Sequence, residues 1–393
     1  MPTIAKRLES LPPYVFSVIG DRIRAMQKDD IEVLRLDIGN PDLPPPDNVI
    51  EKLYESAQRA DKHGYTGYRG LASFRQAVAR YYKQRFDVNL DPDTEVLPVL
   101  GSKEGIVNLA IAYIDAGDTV LIPDIGYPSY EMGTRLAGGD IQHFHLSPEY
   151  HYLPDLSTIP ESALATSKIL WVNYPNNPTG AMADLNFYRN AVSFCREHDL
   201  VLASDAPYVE VKFDDCIGYS ALQGQEDKSN VVEFMSFSKS FNMAGWRLGA
   251  AVGDTEVIAN LLRVKSNIDS GHFAAIYEAG ILALETPKSW IDARNATYQK
   301  RRDKIVSTLQ EIGLSIDEPP KGSLYVWAKV EHISSVEYVE KALTEARVSI
   351  APGDAYGPGG AGFVRISIAV ADDILDKALQ QLKVWYSEIK QNE

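Results

Sequence analysis

Five short β-branched runs recur between residues 119 and 253: TVLIPD at 119–124, KILWVNYP at 168–175, LVLASDA at 200–206, NVVEFMSF at 230–237 and RLGAAVG at 247–253. Helical stretches lie between several of them, for example at 127–137 and 182–198. Runs this apolar are read as strands buried on both faces, and buried strands alternating with helices form a mainly parallel sheet. The expected fold class is therefore α/β: a mainly parallel central sheet flanked by helices. Ligands of such sheets bind beyond the carboxyl ends of the strands, so the residues directly after each run are the ones to inspect.

The rhythm differs at both ends of the chain. Residues 1–47, with LPPYVF and GNPDLPPP, read as an irregular, proline-rich N-terminal arm that contributes to a small domain. Residues 48–285 read as the large domain, opening with the helical spacings of NVIEKLYESAQRA and LASFRQAVARYYKQRF. Residues 286–393 read as a smaller α+β domain: a long polar helix at 287–312, a strand in SLYVWAKV, a helix at 335–346, a strand at 363–369 and a closing helix at 371–388. A chain of 393 residues, 45% of them hydrophobic, can fill more than one core.

Charge and spacing narrow the function classes. A formal net charge of −15 argues against nucleic-acid binding, which needs clustered Lys and Arg. No 18-residue apolar run is present and MPTIAKRLES lacks a leader's apolar core, so a soluble, cytoplasmic protein without membrane partners is expected. The two cysteines, Cys195 and Cys216, form neither a disulfide framework nor a metal-binding spacing.

The residues directly after the strands are more specific. After 168–172 comes NYPNNPTG, a tight turn whose paired amides, Asn177 among them, could donate to a ligand oxygen. After 200–204 comes DAPYVE, with Asp205 at the strand end and Tyr208 three residues on. After 231–235 comes SFSKSFNMAGWRLG, which holds Ser236, Lys239 and Arg247. Upstream, VLGSKEGIVNLAIAYI at 99–114 reads as a strand, a Gly-Ser turn and an apolar helix, an anion site by its helix N-terminus and Ser102. Singly these have plainer accounts: a turn, a helix cap, a surface lysine, a salt-bridge arginine. Together they supply a lysine for a Schiff base, an acid for a pyridinium nitrogen and a phosphate anchor, the requirements of pyridoxal 5′-phosphate.

On these residues the sequence resembles the class I/II aminotransferases of the fold-type I pyridoxal phosphate enzymes. The resemblance covers nearly the whole chain through GYTGYRGLASFR, GSKEG, IGYPSY, NYPNNPTG, DAPY, SFSKSFNMAGWRLG and FVRIS, in order and at matching spacing. It implies that Lys239 carries the cofactor as a Schiff base and moves the α-proton, and that Asp205 pairs with the ring nitrogen. It implies further that Asn177 and Tyr208 hold the ring's 3-oxygen, Tyr127 stacks on the ring, and Ser102, Lys103, Ser236 and Arg247 surround the phosphate. Tyr65 is expected to reach the phosphate of a neighbouring subunit, making a homodimer with shared sites. Arg365 is expected to clamp the substrate α-carboxylate, with the backbone of Gly39 close by.

Within that family the chain looks like the LL-diaminopimelate aminotransferases, through LPPYVF, which contains Tyr14, and RVKSNIDSG at 263–271. The resemblance places Tyr14, Lys103 and Asn267 at the substrate, Asn267 from the partner chain, and implies exchange with the 2-oxoglutarate/glutamate pair. One position departs. Where the family usually has an acidic residue to meet the distal ammonium, this chain has Tyr68 and Arg69 in YTGYRG. Arg69 turned into the site would suit aspartate or another dicarboxylate; turned outward, it leaves diaminopimelate as substrate. A pyridoxal phosphate lyase shares the cofactor contacts, and a non-enzymatic cofactor-binding regulator would need a DNA-binding extension that is not seen here.

Overall fold

The computed structural model describes residues 2–9, 11, 13–225 and 227–392. Of the LPPYVF stretch, Pro12 lies outside the described residues. The strands, in chain order, are β1 Leu34–Arg35, β2 Val96–Val99, β3 Thr119–Pro123, β4 Asp140–Phe144, β5 Ser167–Val172, β6 Val201–Ala206, β7 Val231–Ser236, β8 Gly249–Gly253, β9 Tyr325–Lys329, β10 Val348–Ser349, β11 Ala351–Pro352 and β12 Phe363–Ser367.

Seven of them form one sheet in the order β2-β8-β7-β6-β5-β3-β4. All run the same way except β8, which is antiparallel to both of its neighbours. Side chains of a strand alternate between faces, and the packing follows that period. Val120, Ile122, Ile169, Trp171, Val232 and Phe234 pack with Ile106, Leu109, Ile258 and Leu261 of the helices Ser102–Tyr113 and Thr255–Lys265. The intervening Leu121, Leu170, Val172, Leu202 and Met235 pack on the other side with Phe74, Tyr188, Val192 and Tyr277, from the helices Ala72–Phe86, Leu185–Glu197 and Ala274–Leu284. Both faces are covered, as the unbroken apolar runs require. Side-chain caps fix the helix starts: Asp184 accepts from the Phe187 amide at 2.8 Å, and Asp254 accepts from those of Glu256 and Val257.

A separate core gathers Leu34 and Leu36 with Tyr298, Ile305, Val326, Val364, Ile366 and Leu382. It lies on the three-stranded sheet β11-β12-β9 and the parallel pair β1-β10, so residues near the N-terminus join strands more than three hundred positions away. The helix Lys288–Glu311 supplies Tyr298, Ile305 and Leu309 to this core.

The arm at 1–47 is not irregular throughout. It contains the helix Val15–Lys28 and the short helix Lys6–Glu9. Ile19, Ile23 and Met26 have helical spacing and pack with Leu343. The prolines that dominate the sequence reading lie outside this helix, Pro13 immediately before its Tyr14 N-cap, where a missing N–H is tolerated.

Candidate active site

Six parallel strands end at one edge of the large sheet, and antiparallel β8 begins there. This is why Arg247, two residues before β8, meets groups that follow β2, β6 and β7. A cavity of about 430 Å³ opens at this edge. It is lined by Tyr14, Gly39, Ser102, Lys103, Tyr127, Asn177, Asp205, Tyr208, Ser236, Lys239, Arg247 and Arg365, twelve of the residues the sequence singled out.

Lys239 stands on a single helical turn, Phe237–Ser240, at the end of β7. The Ser236 hydroxyl caps that turn, accepting from the Ser238 amide at 3.2 Å. The Lys239 ammonium donates to the Gly39 carbonyl. Burial, and then the positive charges of Arg365 and Arg247, pull its pKa down to about 7. A lysine that is partly unprotonated near neutrality can act as nucleophile and as base.

Asp205 lies on β6, buried. Tyr130 donates to its Oδ2 at 2.8 Å and is itself stacked on Trp171, 4.9 Å away at 12°. Oδ1 is buried with no hydrogen-bond partner, and burial pushes the pKa up to about 7. A buried carboxylate oxygen without a donor on the cavity wall fits a ligand that brings an N–H there. Asn173 fixes the adjoining loops: its Nδ2 donates to the Asp205 carbonyl at 2.7 Å, and its Oδ1 accepts from the Asn177 amide at 2.8 Å.

Two ends of the cavity suit anions. At the first, Gly101 precedes the helix Ser102–Tyr113 with φ 80° and ψ 159°, and a Cβ there would run into the Arg247 guanidinium. Arg247 donates to the carbonyls of Ala244 at 2.9 Å and Leu100 at 3.3 Å. A helix N-terminus, an arginine and the hydroxyls of Ser102, Ser236 and Ser238 could together hold a phosphate. At the second, buried Arg365 donates to Asn177 Oδ1 at 3.1 Å and to the Asp37 carbonyl at 2.7 Å, while its Nε has no partner. Its guanidinium carbon lies 3.8 Å from the centre of the Tyr325 ring and 4.9 Å from that of Tyr356. Five cationic side chains, Arg35, Lys103, Lys239, Arg247 and Arg365, face only Asp37 and Asp205 among the described lining residues. In an acidic chain, such a cleft concentrates field on anionic ligands.

Three predicted residues are elsewhere. Tyr65 is 92% exposed. Asn267 is exposed and donates to the Arg263 carbonyl at 2.8 Å. Arg69 donates to the Asp93 carbonyl and does not line this cavity. Conversely, Phe16, Arg35, Asp37, Asn173, Ser238, Tyr325 and Tyr356 line it although the sequence pattern did not single them out. Ser238 stands in the hydroxyl cluster beside Lys239; Tyr325 stands inside SLYVWAKV, which reads only as a strand. The Tyr325 hydroxyl lies 3.0 Å from that of Tyr208, and a Cβ on Gly39 would strike it, which accounts for the glycine there.

A lysine partly unprotonated near neutrality, a carboxylate with one oxygen lacking a donor and two separate anion ends, at the carboxyl edge of a mainly parallel sheet, suit an enzyme of small amino and oxo acids. Residues 31–382 match the family described as aminotransferase class I and II, and the chain belongs to it: it is a fold-type I aminotransferase, of a pyridoxal phosphate-dependent family acting on amino acids and 2-oxo acids. A curated LL-diaminopimelate aminotransferase of Dehalococcoides mccartyi is 42% identical over 386 residues, 98% of this chain and 99% of the relative. The apo structure of BacF from Bacillus subtilis superposes with a TM-score of 0.93 at 33% identity, covering 98% of each chain. An aspartate aminotransferase of Thermotoga maritima superposes at 0.90 with 26% identity, over 98% of this chain and all (100%) of that one.

Proposed function

We propose that the chain is an LL-diaminopimelate aminotransferase that holds pyridoxal 5′-phosphate and exchanges the amino group with the 2-oxoglutarate/glutamate pair, in lysine biosynthesis in the cytoplasm. The observation that carries the cofactor assignment is the partnerless Oδ1 of Asp205 facing the same cavity as Lys239 and the anion end at Arg247. Asp205 would accept from the protonated ring nitrogen, Tyr127 would cover the ring, and Asn177 and Tyr208 would hold its 3-oxygen. Ser102, Lys103, Ser236 and Arg247 would hold the phosphate. When bound, the cofactor supplies an electron sink for the amino acid's α-carbon and stores the amino group between the two halves of the reaction.

The chain's own residues do the rest. Arg365 holds the α-carboxylate in a bidentate pair, its free Nε available for it. Asn177 and Tyr325 keep that guanidinium in place. Lys239, neutral for part of the population at pH 7, takes the α-proton and returns it. Lys103, whose backbone would serve the phosphate, and Arg35, already paired with Asp37, are the other two cationic side chains lining the cavity, and the Lys103 ammonium suits the distal carboxylate that diaminopimelate and 2-oxoglutarate share. Arg69, half-buried, bonds to the Asp93 backbone and does not line this chain's cavity, which favours diaminopimelate over aspartate there. The exposed Tyr65 and Asn267 are assigned to the partner's site in a homodimer. Residues 48–285 are read as the cofactor domain, and 286–393 with part of 1–47 as the small domain.

The test is a panel of amino donors with 2-oxoglutarate. LL-diaminopimelate is expected to have the highest kcat/KM, by about tenfold or more over aspartate, equivalent to about 1.4 kcal/mol. Aspartate preferred over diaminopimelate would refute the substrate, and ammonia release without an acceptor would make the enzyme a lyase.

A further inference from the structure

Arg294 is buried in the helix Lys288–Glu311, outside the cavity. No carboxylate pairs with it among the described residues; burial pulls its pKa down to about 10. Its charge is met by carbonyl oxygens instead. Nη1 donates to the Lys239 carbonyl at 3.1 Å and the Ser240 carbonyl at 2.5 Å. Nη2 donates to the Glu210 carbonyl at 2.5 Å and to Asn295 Oδ1 at 2.9 Å, and Nε to the same Oδ1 at 3.2 Å. Asn295 Nδ2 in turn donates to the Glu210 carbonyl at 2.9 Å.

The need for this arrangement comes from the length of the lysine's helix. Phe237–Ser240 is one turn, so its last carbonyls have no amide further along to bond them. Left bare in the interior, the Lys239 and Ser240 carbonyls would be strongly destabilising. The guanidinium satisfies both. It also reaches the end of the segment that carries Tyr208, which Ser240 Oγ meets from the other side through the Pro207 carbonyl at 3.1 Å. A buried arginine, hydrogen-bonded to backbone carbonyls and one neighbouring amide and with its guanidinium carbon 5.4 Å from the centre of the Trp290 ring, therefore joins the lysine turn to the tyrosine loop.

We propose that Arg294 is a positioning residue for the transamination, fixing the main chain of Lys239 against that of Tyr208 so that amine and phenol address one ligand. This rests on the assignment of Lys239 as the cofactor's lysine. Displacing a reacting group by about an ångström is enough to lower a rate about a hundredfold.

The experiment uses the holoenzyme and the variants Arg294→Lys, Asn295→Ala and Arg301→Gln. Arg301 is two turns further along the helix and pairs with Asp42 and Asp372, not with the lysine turn. Arg294→Lys, with one ammonium for three carbonyls, is expected to shift the pKa of the bound cofactor's absorbance by about half a unit or more. It should lower kcat about tenfold or more with the amino-acid KM little changed. Asn295→Ala should move both readouts the same way by less. Arg301→Gln should lower the melting temperature and leave the absorbance pKa at the wild-type value. Wild-type absorbance pKa and kcat in a folded Arg294→Lys protein would overturn the proposal; if that variant does not fold, the same result in Asn295→Ala overturns it. Failure of the underlying assignment looks different: borohydride reduction of the wild-type holoenzyme would then fix the cofactor to a lysine other than Lys239.

Discussion

Asp205 and Lys239 are displaced toward a common pKa of about 7 from opposite directions, both by burial first. Linkage then sets how the cofactor-free protein responds to pH. The stability contributed by the raised Asp205 is fully present below its ordinary value, about 4, and is lost as pH rises through 7. The depressed Lys239 acts in the next window, contributing fully above its ordinary value, about 10.4, and losing that contribution as pH falls toward 7. The two sites together place a minimum in apoprotein stability near neutrality. Asp205→Asn is expected to remove the first limb: its melting temperature relative to wild type should climb by several degrees between about pH 4 and pH 7. A constant difference across that range would contradict a carboxyl raised by burial with one oxygen unpartnered. In the holoenzyme the same change removes the anion opposite the ring nitrogen, and kcat should fall by about 10²-fold or more.

At the scale of elements, the site is a set of strand ends and the turns that leave them. That much could be read from the chain, because buried parallel strands need unbroken apolar runs and the chemistry comes within a few residues of each run's end. The second wall was harder to read. Tyr325 and Arg365 come from a small sheet, and Asp37 from just beyond β1, whose pairing with β10 is a long-range contact that no local pattern encodes. FVRIS was legible as an arginine on a strand only through family resemblance, while Tyr325 on the neighbouring strand carried no signal beyond β propensity. The helix Val15–Lys28 was hidden by the prolines before it, although Ile19, Ile23 and Met26 have helical spacing. The Gly101 turn is where an element's geometry can be tested directly. Its backbone angles belong almost only to glycine, and another residue held there is strained by about 1–3 kcal/mol. Gly101→Ala also pushes on Arg247, so the dissociation constant for pyridoxal phosphate, measured by fluorescence titration, should rise about tenfold or more. An unchanged constant would remove the phosphate from that turn.

The whole molecule presents a patch that a single chain leaves uncovered. Tyr65 at 92%, Tyr68 at 53% and Ile268 at 57% are exposed on two segments that touch, Thr66 donating to the His272 carbonyl at 3.0 Å. The patch is mechanically close to the anion end at Arg247, since His272 Nε2 bonds to the Arg247 carbonyl at 2.7 Å. A homodimer built on this face would bury the aromatic rings and bring Tyr65 to the neighbouring site. Sedimentation should give a dimer, and Tyr65→Phe should weaken pyridoxal phosphate binding while leaving the dimer intact. A monomer that is fully active would refute the shared site.

If Lys239 performs the chemistry in this cleft, the half-reaction with an amino donor alone depends on it. Holoenzyme is mixed with LL-diaminopimelate without any oxo acid, and the cofactor's absorbance is followed in a stopped-flow instrument. Wild type should convert its bound cofactor to the amine form in one stoichiometric turnover, and Lys239→Ala should show neither the lysine-linked absorbance nor that conversion. A Lys239→Ala protein that completes the half-reaction at the wild-type rate would remove Lys239 from the chemistry.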